Sequence, residues 1–86
     1  MKVTVVGTHL CPGTLGALNK LYEADIPVEF KDIISNHSEL RMYLHLRDTS
    51  ELYADIRGTE RIGIPLFIFE DGTMTMDLAE VLQKAK

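Results

Sequence analysis

The sequence predicts an α/β fold with its elements in the order βαβ-α-ββα. Near the start, a Val-rich strand is followed by a helix and a second strand, which together make a βαβ unit with a parallel, right-handed crossover. Near the end, Asp71-Gly72 marks a tight turn between two short strands. With 86 residues, 45% of them hydrophobic, the chain has the apolar content for one core, so we predict a single domain over residues 1–86.

Apolar patterning defines the βαβ unit. Residues 2–7 are rich in Val and predict a strand covered on both faces. The following helix runs to about Ala24, and its two apolar stripes predict that it is largely buried. The stripes are Leu15, Leu18 and Tyr22, and Ala17, Leu21 and Ala24. Pro27 follows the end of this helix, and residues 28–34 are predicted to form the second strand.

Capping signals place the next helices. Asn36 followed by Glu39 is typical of a helix start, and the interruption at residues 48–50 predicts a second, short helix that stops at Gly58. Leu52, Tyr53 and Ile56 supply the apolar side of that short helix.

The last third of the chain is predicted to be a hairpin followed by a helix. Residues 66–69 and 73–76 form its strands, and Asp77 with Glu80 makes a capping box for the C-terminal helix.

Charge and cysteine content limit the classes of partner. A net charge of −4 with mixed signs argues against nucleic acid and against an anionic membrane surface. One cysteine excludes an internal disulfide, and no Cys/His group has the spacing of a zinc site. We therefore expect a cytoplasmic monomer with no metal site and no tightly bound cofactor.

The sole cysteine, Cys11, lies where the first strand gives way to the first helix. Pro12 suits the first helical position, so Cys11 becomes the N-cap and its sulfur faces the free amides of Gly13 and Thr14. A thiol at a helix start can have its pKa lowered from about 8.5 into the range of roughly 3.5 to 7.5. Cys11 is thus a candidate nucleophile restricted to monothiol chemistry, and the alternative is an inert, small core residue.

Cys-Pro at a helix start, the βαβ unit, and Ile64-Pro65 before a hairpin and a final helix resemble the glutaredoxin branch of the thioredoxin superfamily. The resemblance covers nearly the whole chain and is greatest to short bacterial proteins described as glutaredoxin-related. It implies a thioredoxin/glutaredoxin-like fold, with a four-stranded mixed sheet in the order 2-1-3-4 and helices on both faces. The hairpin would be antiparallel to the rest. It also implies a cis Ile64-Pro65 bond beside Cys11.

The resemblance also implies roles for site residues. Cys11 would be the nucleophile, and Thr14, in the resolving-cysteine position, would donate a hydrogen bond to the thiolate. Pro12 and Gly13 would border the substrate. The main chain of Ile64, before Pro65, would pair with the main chain of a bound thiol peptide.

Two positions bear on which thiol serves as cosubstrate. Glutathione is the usual thiol of the family, but Thr8 stands where many glutathione-using members have a lysine. The Gly-Gly step before Asp77, part of the family's grip on the γ-glutamyl end, is missing. We therefore expect glutathione or another low-molecular-weight thiol. Arg61 is a candidate to bind a substrate carboxylate, and Arg47 is a second one.

His9, two residues before Cys11, is interpreted as an exposed loop histidine, with a proton shuttle or a cationic partner as the alternative. For the whole protein, the leading hypothesis is a monothiol oxidoreductase acting on small-thiol or protein mixed disulfides. The second is a non-catalytic peptide- or protein-binding module with a vestigial thiol. The third is a glutathione-bridged dimer that holds an iron–sulfur cluster through Cys11 of each subunit.

Overall fold

The computed structural model describes residues 1–85, which form one four-stranded sheet with three α-helices and a 3-10 helix. The elements are β1 (Val3–Gly7), α1 (Pro12–Glu23), β2 (Val28–Asp32), α2 (His37–Thr49), the 3-10 helix (Glu51–Tyr53), β3 (Leu66–Ile68), β4 (Met74–Thr75) and α3 (Leu78–Lys84). The sheet order is β2-β1-β3-β4, with β1 parallel to β2 and antiparallel to β3. β3 and β4 are also antiparallel. The predicted α/β class and strand order are therefore confirmed.

The core is divided by the sheet into two clusters, because successive strand residues point to opposite faces. Val3 and Val5 belong to one cluster with residues of α1 and α3. Val6 belongs to the other, with residues of α2 and of the 3-10 helix. Phe67 and Leu66 of β3 alternate between the two clusters in the same way. Helices thus cover both faces of the sheet.

The first helix is less buried than its two apolar stripes predict. Ala17, Leu18 and Leu21 are buried, but Leu15 is 44% exposed and Tyr22 is 60% exposed. An open sheet covers only the side of α1 that faces it. The stripe of Leu15 and Tyr22 turns away from that contact, so the prediction of burial was wrong there.

The predicted short helix is only a 3-10 turn. The hydroxyl oxygen of Ser50 accepts a hydrogen bond from the amide of Leu52 at 3.3 Å and starts it. The chain then continues through turns to Gly58, which has φ +81°. Tyr53 and Ile56 are still buried as expected. The two hairpin strands are also shorter than predicted, since β3 ends at Ile68 and β4 has two residues.

The predicted helix starts are found at Asn36 and Asp77. The side chain of Asn36 accepts a hydrogen bond from the amide of Glu39 at 2.9 Å, and Asp77 accepts one from Ala79 at 3.0 Å. Glu80 does not complete a capping box, because its carboxylate instead accepts a hydrogen bond from the hydroxyl of Thr75 at 2.9 Å.

Candidate active site

Cys11 lies at the N-cap of α1, as its neighbour Pro12 predicts. The backbone of Cys11 is extended, with φ −95° and ψ 116°, and its carbonyl accepts the first helical hydrogen bond from the amide of Leu15 at 3.1 Å. Pro12 is in the first turn of the helix, where a missing N–H costs no hydrogen bond. The free thiol of Cys11 is half-buried. A thiol in this position is held at the positive end of a 12-residue helix.

Thr14 is completely buried one turn into the helix, where it packs against the end of β1. A side-chain carbon added to Gly7 would lie only 2.4 Å from Oγ1 of Thr14, so a glycine is needed there for the threonine to fit. The hydroxyl of Thr14 has no hydrogen-bond partner of ordinary geometry among residues 1–85. Buried hydroxyls usually have a hydrogen-bond partner. Because the Thr14 hydroxyl has none among the described residues, it remains available as a donor to a charge that forms beside it.

The surroundings of Cys11 lower the pKa of its thiol. The hydroxyl of Thr14 is the largest cause, because it can turn its hydrogen toward the thiolate. Partial burial opposes this by disfavouring the charged form, and the amides of Thr14 and Gly13 add to the lowering. These amides make no capping hydrogen bond of ordinary geometry with the sulfur, so we ascribe their effect to the direction of their dipoles. The thiolate is therefore favoured relative to a free cysteine.

The loop before β3 borders the cysteine. β1 and β3 are antiparallel and pair Val6 with Leu66, so the start of β3 lies next to the end of β1. A side-chain carbon built on Gly13 would lie 3.7 Å from Sγ of Cys11 and 3.8 Å from Cδ of Pro65. The Ile64-Pro65 peptide bond is cis, as the resemblance implies. The structure thus brings Cys11, Gly13 and Pro65 together.

Two tyrosine hydroxyls hold the loop that leads to Ile64. Tyr53 donates a hydrogen bond to the carbonyl of Gly63 at 2.8 Å, and Tyr43 donates one to the carbonyl of Ile62 at 2.5 Å. Both tyrosines are buried. Burial also raises the pKa of Tyr53 to about 12, so its hydroxyl remains a donor over the physiological range.

Arg47 binds the same loop through its guanidinium. One nitrogen donates to the carbonyl of Arg61 at 2.6 Å, and the other donates to that of Thr59 at 3.2 Å and that of Ile56 at 3.4 Å. These donors are occupied by the main chain. The suggestion that Arg47 binds a substrate carboxylate is therefore wrong, since its role is to hold the loop.

The two remaining predicted site residues have different positions. Arg61 is exposed, and its side chain forms no ion pair or hydrogen bond within residues 1–85, which leaves it free for a ligand carboxylate. Asp77 is at the start of α3, where one carboxylate oxygen caps the helix. No hydrogen bond within the described residues joins Asp77 to Cys11 or to Pro65.

One contact beside Cys11 was missed by the sequence analysis. Nδ1 of His9 lies 2.5 Å from Oδ2 of Asp32, the last residue of β2. His9 is an exposed loop histidine, as expected, but its ring is held by Asp32, a partner that was not expected. The parallel pairing of Gly7 with Asp32 brings the turn after β1 beside the end of β2. That pairing was implied by the predicted βαβ unit, but the exact register was not.

Residues 1–85 contain no group of three or more His, Cys, Asp or Glu side chains placed to hold a metal ion. None of the helices described is both long and apolar enough to cross a membrane.

The fold and this site define an α/β protein with a single cysteine at a helix start, facing a proline loop. A scan against models of protein families, a search of curated proteins and a search of solved structures found no match.

Proposed function

We propose that this protein has a thioredoxin/glutaredoxin-like fold and carries out monothiol thiol–disulfide exchange through Cys11. The observation that carries the proposal is the pair formed by Cys11 at the N-cap of α1 and the buried hydroxyl of Thr14, which has no hydrogen-bond partner among residues 1–85. Both groups favour a thiolate, which is the nucleophile in disulfide exchange. An inert core cysteine would need neither.

The exchange takes place in two steps. The Cys11 thiolate attacks one sulfur of a disulfide, so that a new S–S bond forms, the old one breaks, and the other sulfur leaves as a thiolate. Thr14 cannot attack the mixed disulfide, because a hydroxyl is no substitute for a resolving thiol. An external thiolate must therefore attack the mixed disulfide and release Cys11. Glutathione or another low-molecular-weight thiol is the co-substrate that we propose.

The loop before β3 offers a place for the main chain of the substrate. Within residues 1–85, the amide and the carbonyl of Ile64 form no hydrogen bond, whereas the carbonyls of Ile62 and Gly63 are both bound. A peptide strand could pair with Ile64 by adding two main-chain hydrogen bonds. Arg61, three residues earlier, supplies a cation for a substrate carboxylate.

Glutathione is one member of a wider class of thiols that fits this site. Thr8, in the position of the family's lysine, is buried and accepts a hydrogen bond from the amide of Leu10 at 3.3 Å. It therefore brings no positive charge to a thiol ligand. Asp77 has one carboxylate oxygen occupied by its cap. The class of substrate that we propose is a mixed disulfide of a small thiol or of a peptide.

The free main chain of Ile64 also supports the second candidate, a peptide-binding module in which the thiol does not react. The two functions differ in their dependence on Cys11. Replacing it by Ser removes disulfide exchange in the first case and leaves peptide binding intact in the second.

The decisive experiment is the rate of alkylation of Cys11 by iodoacetamide from pH 4 to 10. The urea-denatured protein is the reference, and Cys11→Ser is the blank. We expect the alkylation profile of the folded protein to lie at lower pH than that of the denatured chain, because the Cys11 pKa is lowered. A profile at the same or higher pH, or no reaction, would contradict the exchange function and support the binding module.

A further inference from the structure

His9 shares a tight turn with the reactive cysteine. The amide of Cys11 donates to the carbonyl of Thr8 at 3.0 Å, which closes a four-residue turn with His9 and Leu10 at its corners. The Cα atoms of Thr8 and Cys11, which are the ends of this turn, lie within about 7 Å of each other. The imidazole is 60% exposed, so it is not part of the core. The turn therefore carries an exposed imidazole two residues before the thiol, at the same end of β1.

Asp32 fixes the position of that imidazole. Oδ2 of Asp32 contacts Nδ1 of His9 at 2.5 Å and accepts the amide of His9 at 3.4 Å. Its other oxygen accepts the amide of Ile34 at 3.1 Å. The carboxylate is only 15% exposed, and it is held by the backbone at the end of β2. A carboxylate anchored in this way holds the histidine ring in one orientation.

The same contact determines which ring nitrogen is free. Burial alone would raise the pKa of Asp32, but hydrogen bonds from the His9 ring, from the amides of Ile34 and His9 and from the hydroxyl of Thr8 lower it to about 2. The carboxylate is therefore ionised at neutral pH and can only accept hydrogen bonds. Nδ1 must carry the hydrogen, so Nε2 is the nitrogen left to exchange a proton.

We propose that His9, positioned by Asp32, is the acid–base group of the exchange reaction. This inference rests on the proposed function. Protonated Nε2 gives its proton to the thiolate that leaves when Cys11 attacks a disulfide. Neutral Nε2 then takes a proton from the incoming thiol, and that thiolate attacks the mixed disulfide and frees Cys11. One proton is given and one is returned, so the cycle balances with the external thiol as the only co-reactant.

The chemistry of the leaving group explains why such a residue is useful. An alkyl thiol has a pKa near 8.5, so its thiolate is a poor leaving group at neutral pH. An imidazole can give a proton to the departing sulfur and take one back from solvent. An aromatic thiol such as thionitrobenzoate is already stable as an anion, and gains nothing from a donor. The two kinds of disulfide therefore distinguish acid catalysis from other effects.

The test compares His9→Gln with the wild-type protein on two substrates. The first is the mixed disulfide of glutathione and 2-mercaptoethanol, which releases an alkyl thiol. The second is 5,5′-dithiobis(2-nitrobenzoate), which releases an aromatic one. We expect the alkyl rate to fall by about a hundredfold or more, which is the lower end of the effect of an acid–base group, while the aromatic rate stays within about twofold. Asp32→Asn, which loses the ionised acceptor, should show the same selective loss.

His45→Gln is the matched control, because it removes another exposed histidine, on α2, and should leave both rates unchanged. Equal losses on both substrates, or no loss on either, in His9→Gln would overturn the acid–base role while leaving the exchange function in place. A wild-type protein that reacts with neither disulfide would overturn both. Circular dichroism of each variant checks that the fold is retained.

Discussion

The candidate site has two walls: the loop before β3, here called the loop wall, and Cys11 with Thr14 at the start of α1, here called the thiol wall. The two walls differ in whether their polar groups have hydrogen-bond partners. On the loop wall, the carbonyls of Arg61, Ile62 and Gly63 all accept hydrogen bonds from side chains of α2 or of Tyr53. On the thiol wall, the hydroxyl of Thr14 is buried and has no partner within the described residues. One wall is a fixed support, and the other keeps an uncommitted donor for the charge on Cys11. Removing a polar group should therefore cost stability on the first wall and reactivity on the second.

The largest expected effect comes from crowding the loop wall with Gly63→Ala. Gly63 has φ +76°, and an added Cβ would lie 2.5 Å from Cε1 of Tyr53 and 2.9 Å from Cδ1 of Ile56. The backbone conformation and the collision together should lower the free energy of unfolding by about 3 kcal/mol or more. Urea denaturation followed by circular dichroism measures it.

Gly58→Ala is the matched control for this substitution. Gly58 also has a positive φ, of +81°, but an added Cβ would meet no atom of residues 1–85 within 4 Å. We expect it to lose only about 1 kcal/mol, the cost of the backbone conformation. Equal losses for the two variants would show that the contact of Gly63 with Tyr53 does not hold the loop.

The second effect follows from removing the guanidinium on the loop wall. Arg47→Met keeps most of the aliphatic stem but leaves the carbonyls of Thr59 and Arg61 without their donor. We expect a loss of about 2 kcal/mol, since hydrogen bonds to a charged group are each worth roughly 1.5 to 3 kcal/mol and water replaces part of them. Arg41→Met, at an exposed position of the same helix, should stay within about 0.5 kcal/mol of wild type. A loss no larger than that of Arg41→Met would contradict the role assigned to Arg47.

Local signals predicted much of the thiol wall. Pro12 in the first turn places Cys11 at the N-cap by itself, and the Asn36 cap and the Asp71-Gly72 turn are equally local. These features depend on groups only a few residues apart, so they can be predicted from a single sequence. The strand order was predicted through a resemblance and not through spacing.

Three features that depend on tertiary contacts were not predicted. Arg47 was considered as a ligand for a substrate carboxylate. Its neighbours in the sequence do not show that its guanidinium donates hydrogen bonds to carbonyls of residues 56–62. The bond between His9 and Asp32 spans 23 residues and depends on the register of β1 with β2. Leu15 was expected to be buried because a helical stripe shows periodicity but not which side meets the sheet. The first two errors concern a long-range partner, and the third concerns the orientation of a helix against the sheet.

The smallest effect on stability, and the sharpest contrast between the walls, is expected for Thr14→Val. Valine keeps the shape of threonine but removes a hydroxyl that has no partner in the described residues. Below the pH at which Cys11 ionises, stability should therefore change by less than about 0.5 kcal/mol, because no hydrogen bond is lost there. The pKa of Cys11 should rise, since this hydroxyl is the largest cause of its lowering. Less thiolate is then present at pH 7, and iodoacetamide should react severalfold more slowly there.

Thr14→Ser is the reciprocal variant, because it keeps the hydroxyl and removes the buried methyl group. It should keep the alkylation profile of the wild type and lose about 1 kcal/mol of stability from the small cavity. Stability and reactivity would then be separated within a single side chain, which is the property that distinguishes the thiol wall from the loop wall. If valine instead lowered stability and left the alkylation profile unchanged, the hydroxyl of Thr14 would be one more structural group and the difference between the walls would disappear.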